Sequence, residues 1–170
     1  RFEALSQEKR THYRITLREQ TTYLSTMLQE IVAINLDSNL QPEIRAYRFA
    51  IFCEQLRHNL EAEASQNHKL HFEFQPSEQL LHTDLGIVHS VLRAVLNNAY
   101  KFAPPTSAIR VSCTHTQQAC TLTVHDQGIG MPAHEISHIF DLFYRCSNVG
   151  AHRGLGIGLY IAQKMVRSIQ

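Results

Sequence analysis

Three short stretches carry residue types that can do chemistry together. In NNAYK (97–101), Asn98 and Lys101 are three apart and share a helix face. An amide oxygen beside an ammonium suits a hydrated Mg²⁺ carrying phosphates, because Mg²⁺ takes oxygen ligands and lysine acts as a point charge on phosphate. Alone, the pair reads better as a solvated helix end with Lys near its C-terminus. DQGIGM (126–131) follows a strand pattern with a carboxylate and two glycines. Glycines let backbone approach a flat ligand, and the carboxylate can accept from an exocyclic amine, although Asp and Gly are also ordinary turn residues. RGLGIGLYIAQ (153–163) runs alternate glycines into an apolar helix, where bare N–H groups and a helix N-terminus favour an anion. A dinucleotide-binding motif would need such glycines between the first strand and helix of a βαβ unit. Here they come near the end, and that reading is rejected.

HEISH (134–138) fits H-E-x-x-H, the two-histidine zinc pattern of many metalloproteases. No Glu follows Glu135 to supply a third ligand, and the extended pattern would need Gly at Asp141 and His at Tyr144. With 11 His in the chain, one chance match is no surprise. His134, Glu135 and His138 are therefore read as polar residues facing water.

These stretches must be positioned by the elements around them. From the start to about Leu36, Tyr13, Leu17, Leu24, Met27, Ile31 and Ile34 recur in alternating steps of three and four, interrupted by Gln20. That spacing predicts a helix in need of a partner helix. DSNLQPE (37–43) supplies turn residues and a proline, Pro42, that mark the boundary.

A second amphipathic helix is predicted from Ile44 to about Ala64, with Phe49, Phe52, Cys53, Leu56 and Leu60 on its stripe and Tyr47 and Ile51 off it. HKLHFEF (68–74) alternates like a strand, and LLHTD (80–84) reads as another short one. Residues 85–103 return to helical period, stopped by Pro104 and Pro105. AIRVSCTHT (108–116) and ACTLTVHD (119–126) read as a hairpin. Short helices are expected after Pro132 and after Gly158. The fold class is α+β: a two-layer sandwich whose mixed, mainly antiparallel sheet is covered by helices on one face, behind a long bundle helix.

Composition narrows the function classes. The chain has 170 residues, 44% hydrophobic and 18% charged, with formal net charge +1, so no overall field points to nucleic acid or a membrane surface. No apolar run is long enough to span a bilayer. Cys53, Cys113, Cys120 and Cys146 form no C-x-x-C pair, which favours free thiols and a cytoplasmic setting. The first residue is Arg1 rather than Met, so the sequence is expected to be a piece of a longer protein.

In this order, the three stretches resemble the ATP-binding domain of sensor histidine kinases, within the ATPase superfamily that includes gyrase, heat-shock chaperones and mismatch-repair proteins. NNAYKF (97–102) resembles that family's N box and DQGIGM its first glycine box. IFDLFYR (139–145) resembles the phenylalanine box, which singles out histidine kinases, and RGLGIGL (153–159) the second glycine box. The resemblance covers roughly residues 44–170.

The resemblance implies ATP and Mg²⁺ as cofactors. Asn98 would be the Mg²⁺ ligand, Lys101 a phosphate contact and Phe102 an aromatic against adenine. Asp126 would accept from the adenine amino group, with Gly128 and Gly130 shaping that wall. Arg145 and the backbone at Gly154, Gly156 and Gly158 would face the phosphates. The resemblance also implies that Ile136 faces inward. Residues 1–38 would be the second helix of a dimerising hairpin, and 39–170 the ATP-binding domain without its closing strand pair. The acceptor histidine would lie upstream, so no catalytic residue is expected in this sequence, and the relay would run to a response regulator receiver domain. Two positions depart from the pattern: Ala94 stands where a second Asn is common, and Leu155 where Thr is common. Ala94 feeds the alternative, a non-catalytic nucleotide-binding or scaffold module of the same fold.

Overall fold

The computed structural model describes residues 6–35, 41–64, 67–75, 77–116, 119–150, 152 and 154–169. The chain divides into two compact units, Arg1–Ser38 and Asn39–Gln170. The first is built on one helix, α1 (Gln7–Asn35). Of its heptad positions, Tyr13, Leu17 and Leu24 are exposed, as are Ile15 and Leu28. The side chains of Met27, Ile31 and Ile34 lie outside the described residues, as does the 36–40 part of the boundary segment.

The second unit is an α+β sandwich. β1 (Arg45–Arg48) leads directly into α2 (Phe49–Ala62), and β2 (Lys69–Phe74) and β3 (Leu80–Thr83) follow. Then come α3 (Leu85–Phe102), β4 (Ala108–His115), β5 (Cys120–His125) and α4 (Gly158–Ser168). The strands form two sheets: β1 antiparallel to β3, and β2-β4-β5, in which β2 runs parallel to β4 and β5 antiparallel. The α3 crossover between β2 and β4 is what permits the parallel pair.

The second helix begins later than its periodicity predicts. Arg45–Arg48 is a strand, because the backbone of RAYR pairs with LLHT from Arg45↔Thr83 to Arg48↔Leu80. A long-range partner of this kind leaves no local signal, and the off-stripe position of Tyr47 follows from it.

Phe49, Phe52, Cys53, Leu56 and Leu60 of α2 meet Val88, Leu92, Leu96 and Ala99 of α3, over Ile109, Val111 and Cys113 of β4. Burying each large apolar side chain contributes about 1.5–3 kcal/mol, so this one layer fixes α3 against the sheet. Asp84 caps α3, its Oδ1 accepting from the Ile87 N–H at 3.0 Å, while Oδ2 accepts from the Glu43 N–H at 2.8 Å. At the other end Ala103 is extended (φ −79°, ψ 149°), as a residue before proline prefers. α3 therefore stops at Phe102, with Asn98, Lys101 and Phe102 in its final turns.

All four cysteines are free, Cys53 and Cys113 buried and Cys120 and Cys146 partly so. Among the described residues, no helix is long and apolar enough to cross a membrane.

Candidate functional site

The end of α3 is the hub of the site. Two glycine-bearing loops come close to it or to the segment before Arg145, and the approaches at Gly128, Gly154 and Gly156 depend on a missing side chain. A Cβ at Gly128 would lie 3.0 Å from the Phe102 carbonyl oxygen, so the 126–130 loop sits flush on the last residue of α3. Asp126 closes that loop on itself, its Oδ1 accepting from the Gly128 N–H at 2.7 Å. A carboxylate has about four acceptor positions, so this bond leaves capacity for an exocyclic amine.

Gly154 has φ +149°, and a Cβ there would lie 2.8 Å from Lys101 Nζ. Lys101 in turn holds its ammonium 4.8 Å from the centre of the Phe102 ring, a cation–π distance. Gly156 has φ +73°, and its missing Cβ points into the backbone of Phe143 and Tyr144.

The segment from Ile139 to Arg145 joins these loops. Arg145 is exposed and its Nη2 donates to the His152 carbonyl, while the His152 ring lies 5.3 Å from that of Phe102. Asn148 Nδ2 donates to the Gly130 carbonyl at 3.0 Å, tying the segment before Gly150 to the 126–130 loop. Phe143, 59% exposed, sits at φ +65°, a left-handed conformation uncommon for a bulky residue.

Lys101, Phe102, Gly128, Gly154, Arg145 and Gly156 are thus linked by direct approaches or one intervening residue. Asn98 is half-buried, one turn before Phe102 on the same helix. Gly130 supplies a carbonyl rather than a close approach. Gly158 opens α4, and a Cβ there would meet nothing within 4 Å, so its lack of a side chain is not sterically required. Arg153, which opens the second glycine stretch, lies outside the described residues.

HEISH behaves differently from its sequence reading. The residues after Pro132 form a turn and a single 3-10 turn (Ile136–His138), not an α-helix. Ile136, expected to face inward, is 50% exposed, whereas Glu135, expected to face water, is 5% exposed. The reason is polar rather than apolar: Glu135 Oε2 accepts from the Tyr144 hydroxyl at 2.9 Å and the Ser147 N–H at 2.9 Å, and Oε1 accepts from the Ser147 hydroxyl. Those bonds, first from the Ser147 side chain and backbone and then from Tyr144, hold the Glu135 carboxyl below its ordinary value against the opposing effect of burial. The same contact pushes the Tyr144 phenol up. His138 Nδ1 pairs with Asp141 Oδ2 at 2.8 Å, and His134 is mostly exposed.

Sequence reasoning missed Glu135, Ser147, Asn148 and His152. Their partners lie 7 to 18 residues away across irregular backbone, where neither helical nor strand period applies.

This arrangement, an α+β sandwich with glycine loops gathered at the end of one helix, defines the class. The chain belongs to the family described as histidine kinase-, DNA gyrase B- and HSP90-like ATPase, which matches it over residues 83–170. Within that family it is similar to the adaptive-response sensory kinase SasA of Synechococcus elongatus, 34% identical over 89 residues, covering 52% of this chain and 23% of that one. SasA of Synechococcus sp. (strain JA-3-3Ab) is 30% identical over 156 residues, covering 89% of this chain and 41% of that one. The chain thus spans between about a quarter and two fifths of the length of these curated relatives. Among solved structures, the Acinetobacter baumannii histidine kinase AdeS shares the fold, with TM-score 0.65 and 18% identity over 90% of this chain and 71% of that one.

Proposed function

We propose that this chain is the ATP-binding part of a two-component sensor histidine kinase. The observation that carries this reading is the close approach of Gly128 to the Phe102 carbonyl and of Gly154 to Lys101 Nζ at the end of α3. A flat shelf and a cationic cradle are thereby side by side, which fits a nucleotide better than a phosphate or a base alone.

The residues present fit Mg²⁺ and ATP. Phe102 with Asp126, Gly128 and Gly130 would form the adenine wall, Asp126 accepting from the exocyclic amine. Asn98 offers the amide oxygen that a hydrated Mg²⁺ favours. Lys101, Arg145 and the backbone N–H groups around Gly154, Gly156 and Gly158 would hold the phosphate oxygens. Bound Mg²⁺ would supply neutralisation of phosphate charge, and the protein's contribution is positioning and electrostatic stabilisation. The phosphoryl acceptor would be a histidine outside this sequence, with relay to the receiver domain of a response regulator. Residues 1–38 would contribute the second helix of a hairpin through which the whole protein dimerises.

The test is a calorimetric titration of the chain with a non-hydrolysable ATP analogue, with Mg²⁺ and with EDTA, beside Asn98→Ala. Mg²⁺-dependent binding that Asn98→Ala weakens at least about tenfold, the equivalent of about 1.4 kcal/mol, is the expected result. No binding by the folded chain would leave a degenerate module of the same fold, the reading that Ala94 supports.

A further inference from the structure

Among the described residues, Glu135 is the one charged side chain that is buried, and it belongs to none of the glycine, asparagine or phenylalanine stretches. Its oxygens accept from Tyr144 and Ser147, which flank Arg145, and they also meet the Cys146 thiol and, at 3.6 Å, His134 Nε2. Both oxygens meet only donors, so an ionised carboxylate is the form that satisfies every partner. Arg145 itself reaches on to the His152 carbonyl, and His152 packs against the Phe102 ring. Gly156 lies close against the backbone carbonyl of Tyr144. The segment around Arg145 is therefore tied by a buried carboxylate at Tyr144 and Ser147 and closely approached by Gly156 at the backbone of Phe143 and Tyr144.

We propose that Glu135 is a positioning residue for the nucleotide site, clamping Tyr144 and Ser147 so that the Arg145 guanidinium is held toward the phosphate end of the ligand. This rests on the nucleotide-site reading above. It separates the two ends of that site: adenine contacts come from α3 and the 126–130 loop, and Glu135 touches neither. A purely structural tie would lower affinity for every ligand together with the melting temperature. A clamp acting through Arg145 lowers affinity only where phosphates are bound.

The experiment measures dissociation constants of the chain for a non-hydrolysable Mg–ATP analogue and, separately, for adenosine. The variants are Glu135→Ala, Glu135→Gln, Arg145→Ala and Glu135→Ala/Arg145→Ala. Removing an acceptor shared by three donors, where hydrogen bonds to a charged group are among the stronger ones, is expected to weaken the analogue about tenfold. Adenosine affinity should stay within about twofold, and the double variant should bind the analogue no more weakly than Arg145→Ala alone, as coupled residues do. Glu135→Gln should recover most of the loss, since its amide oxygen can still accept from Tyr144 and Ser147 while its amino group donates to the Ser147 hydroxyl.

Without nucleotide, amide exchange at Ser147 should quicken in Glu135→Ala and not in Arg145→Ala. Equal losses for both ligands, or losses that multiply in the double variant, would overturn the proposal. If Glu135→Ala does not fold, Ser147→Ala and Tyr144→Phe remove its partners singly and must show the same phosphate-selective loss, and a loss shared by adenosine overturns it there too. A folded wild-type chain that binds neither ligand would instead defeat the nucleotide reading on which the clamp depends.

Discussion

Glu135 and Gly156 both bear on the segment from Phe143 to Ser147, and they fail in different ways. The folded-state pKa of Glu135 is lowered from its ordinary value of 4.5. A carboxyl depressed on folding contributes stability that is fully present above its unfolded value and is lost as pH falls through the folded one. Thermal denaturation followed from pH 7 down to 3 should therefore show a steeper acid loss in wild type than in Glu135→Gln, with the curves closest at the acid end. Parallel curves over the whole range would contradict the bonded carboxylate. Gly156 fails by sterics instead. Its φ of +73° and the Tyr144 carbonyl lying where a Cβ would go leave alanine nowhere to sit. Gly156→Ala should cost about 1–2 kcal/mol for the left-handed backbone alone, more for the displaced carbonyl, read as a shift in the urea midpoint. Gly158→Ala, with open space at its Cβ, serves as the control and should be close to neutral.

Asp84 and Leu96 show what the elements contribute to placing that site. Asp84 caps α3 and also holds the Glu43 N–H, so it joins the start of the helix to the entry of β1. Losing a capping side chain costs about 0.5–2 kcal/mol, and Asp84→Ala should reach the upper end because a second N–H loses its acceptor. Leu96, 2% exposed in the layer between α2 and α3, should cost about 2–5 kcal/mol as Leu96→Ala. Chemical denaturation of the two variants checks both values, and an Asp84→Ala loss larger than that of Leu96→Ala would mean that capping rather than packing dominates α3.

These elements were the legible part of the sequence. α3 and its stop at Pro104, the alternation of β2 and the β4–β5 hairpin all follow from local period and breakers. β1 was not legible, because RAYR is a strand only by virtue of LLHT some 35 residues on. At the site, the glycine stretches and the N-box residues were recognisable as types in order. Glu135 was not: a charged residue between two histidines reads as solvated, and only the fold brings Tyr144 and Ser147 to it.

At the scale of the whole chain, the two compact units differ in how they bury apolar surface. Among the described residues, every member of the core cluster, from Phe49 to Cys113, and every residue packed against it lies in residues 39–170. α1 keeps Tyr13, Ile15, Leu17, Leu24 and Leu28 exposed along 29 residues. A helix of that length in water takes most of its stability from packing an apolar face on a partner. Deleting residues 1–38 should consequently leave the melting temperature of the remainder within about 4 °C, which in a domain of this size corresponds to roughly 1 kcal/mol. The intact chain, by contrast, should self-associate through α1, and the truncated one should not. Sedimentation equilibrium over a wide concentration range distinguishes them: a concentration-dependent average mass is expected for the 170-residue chain and a constant monomer mass after truncation. Helical ellipticity from α1 should rise with the associated fraction, because folding and association of such a segment are linked by mass action. A monomer at every concentration with α1 fully helical would instead mean that the helix needs no partner copy, and the proposed dimerising role of residues 1–38 would fall.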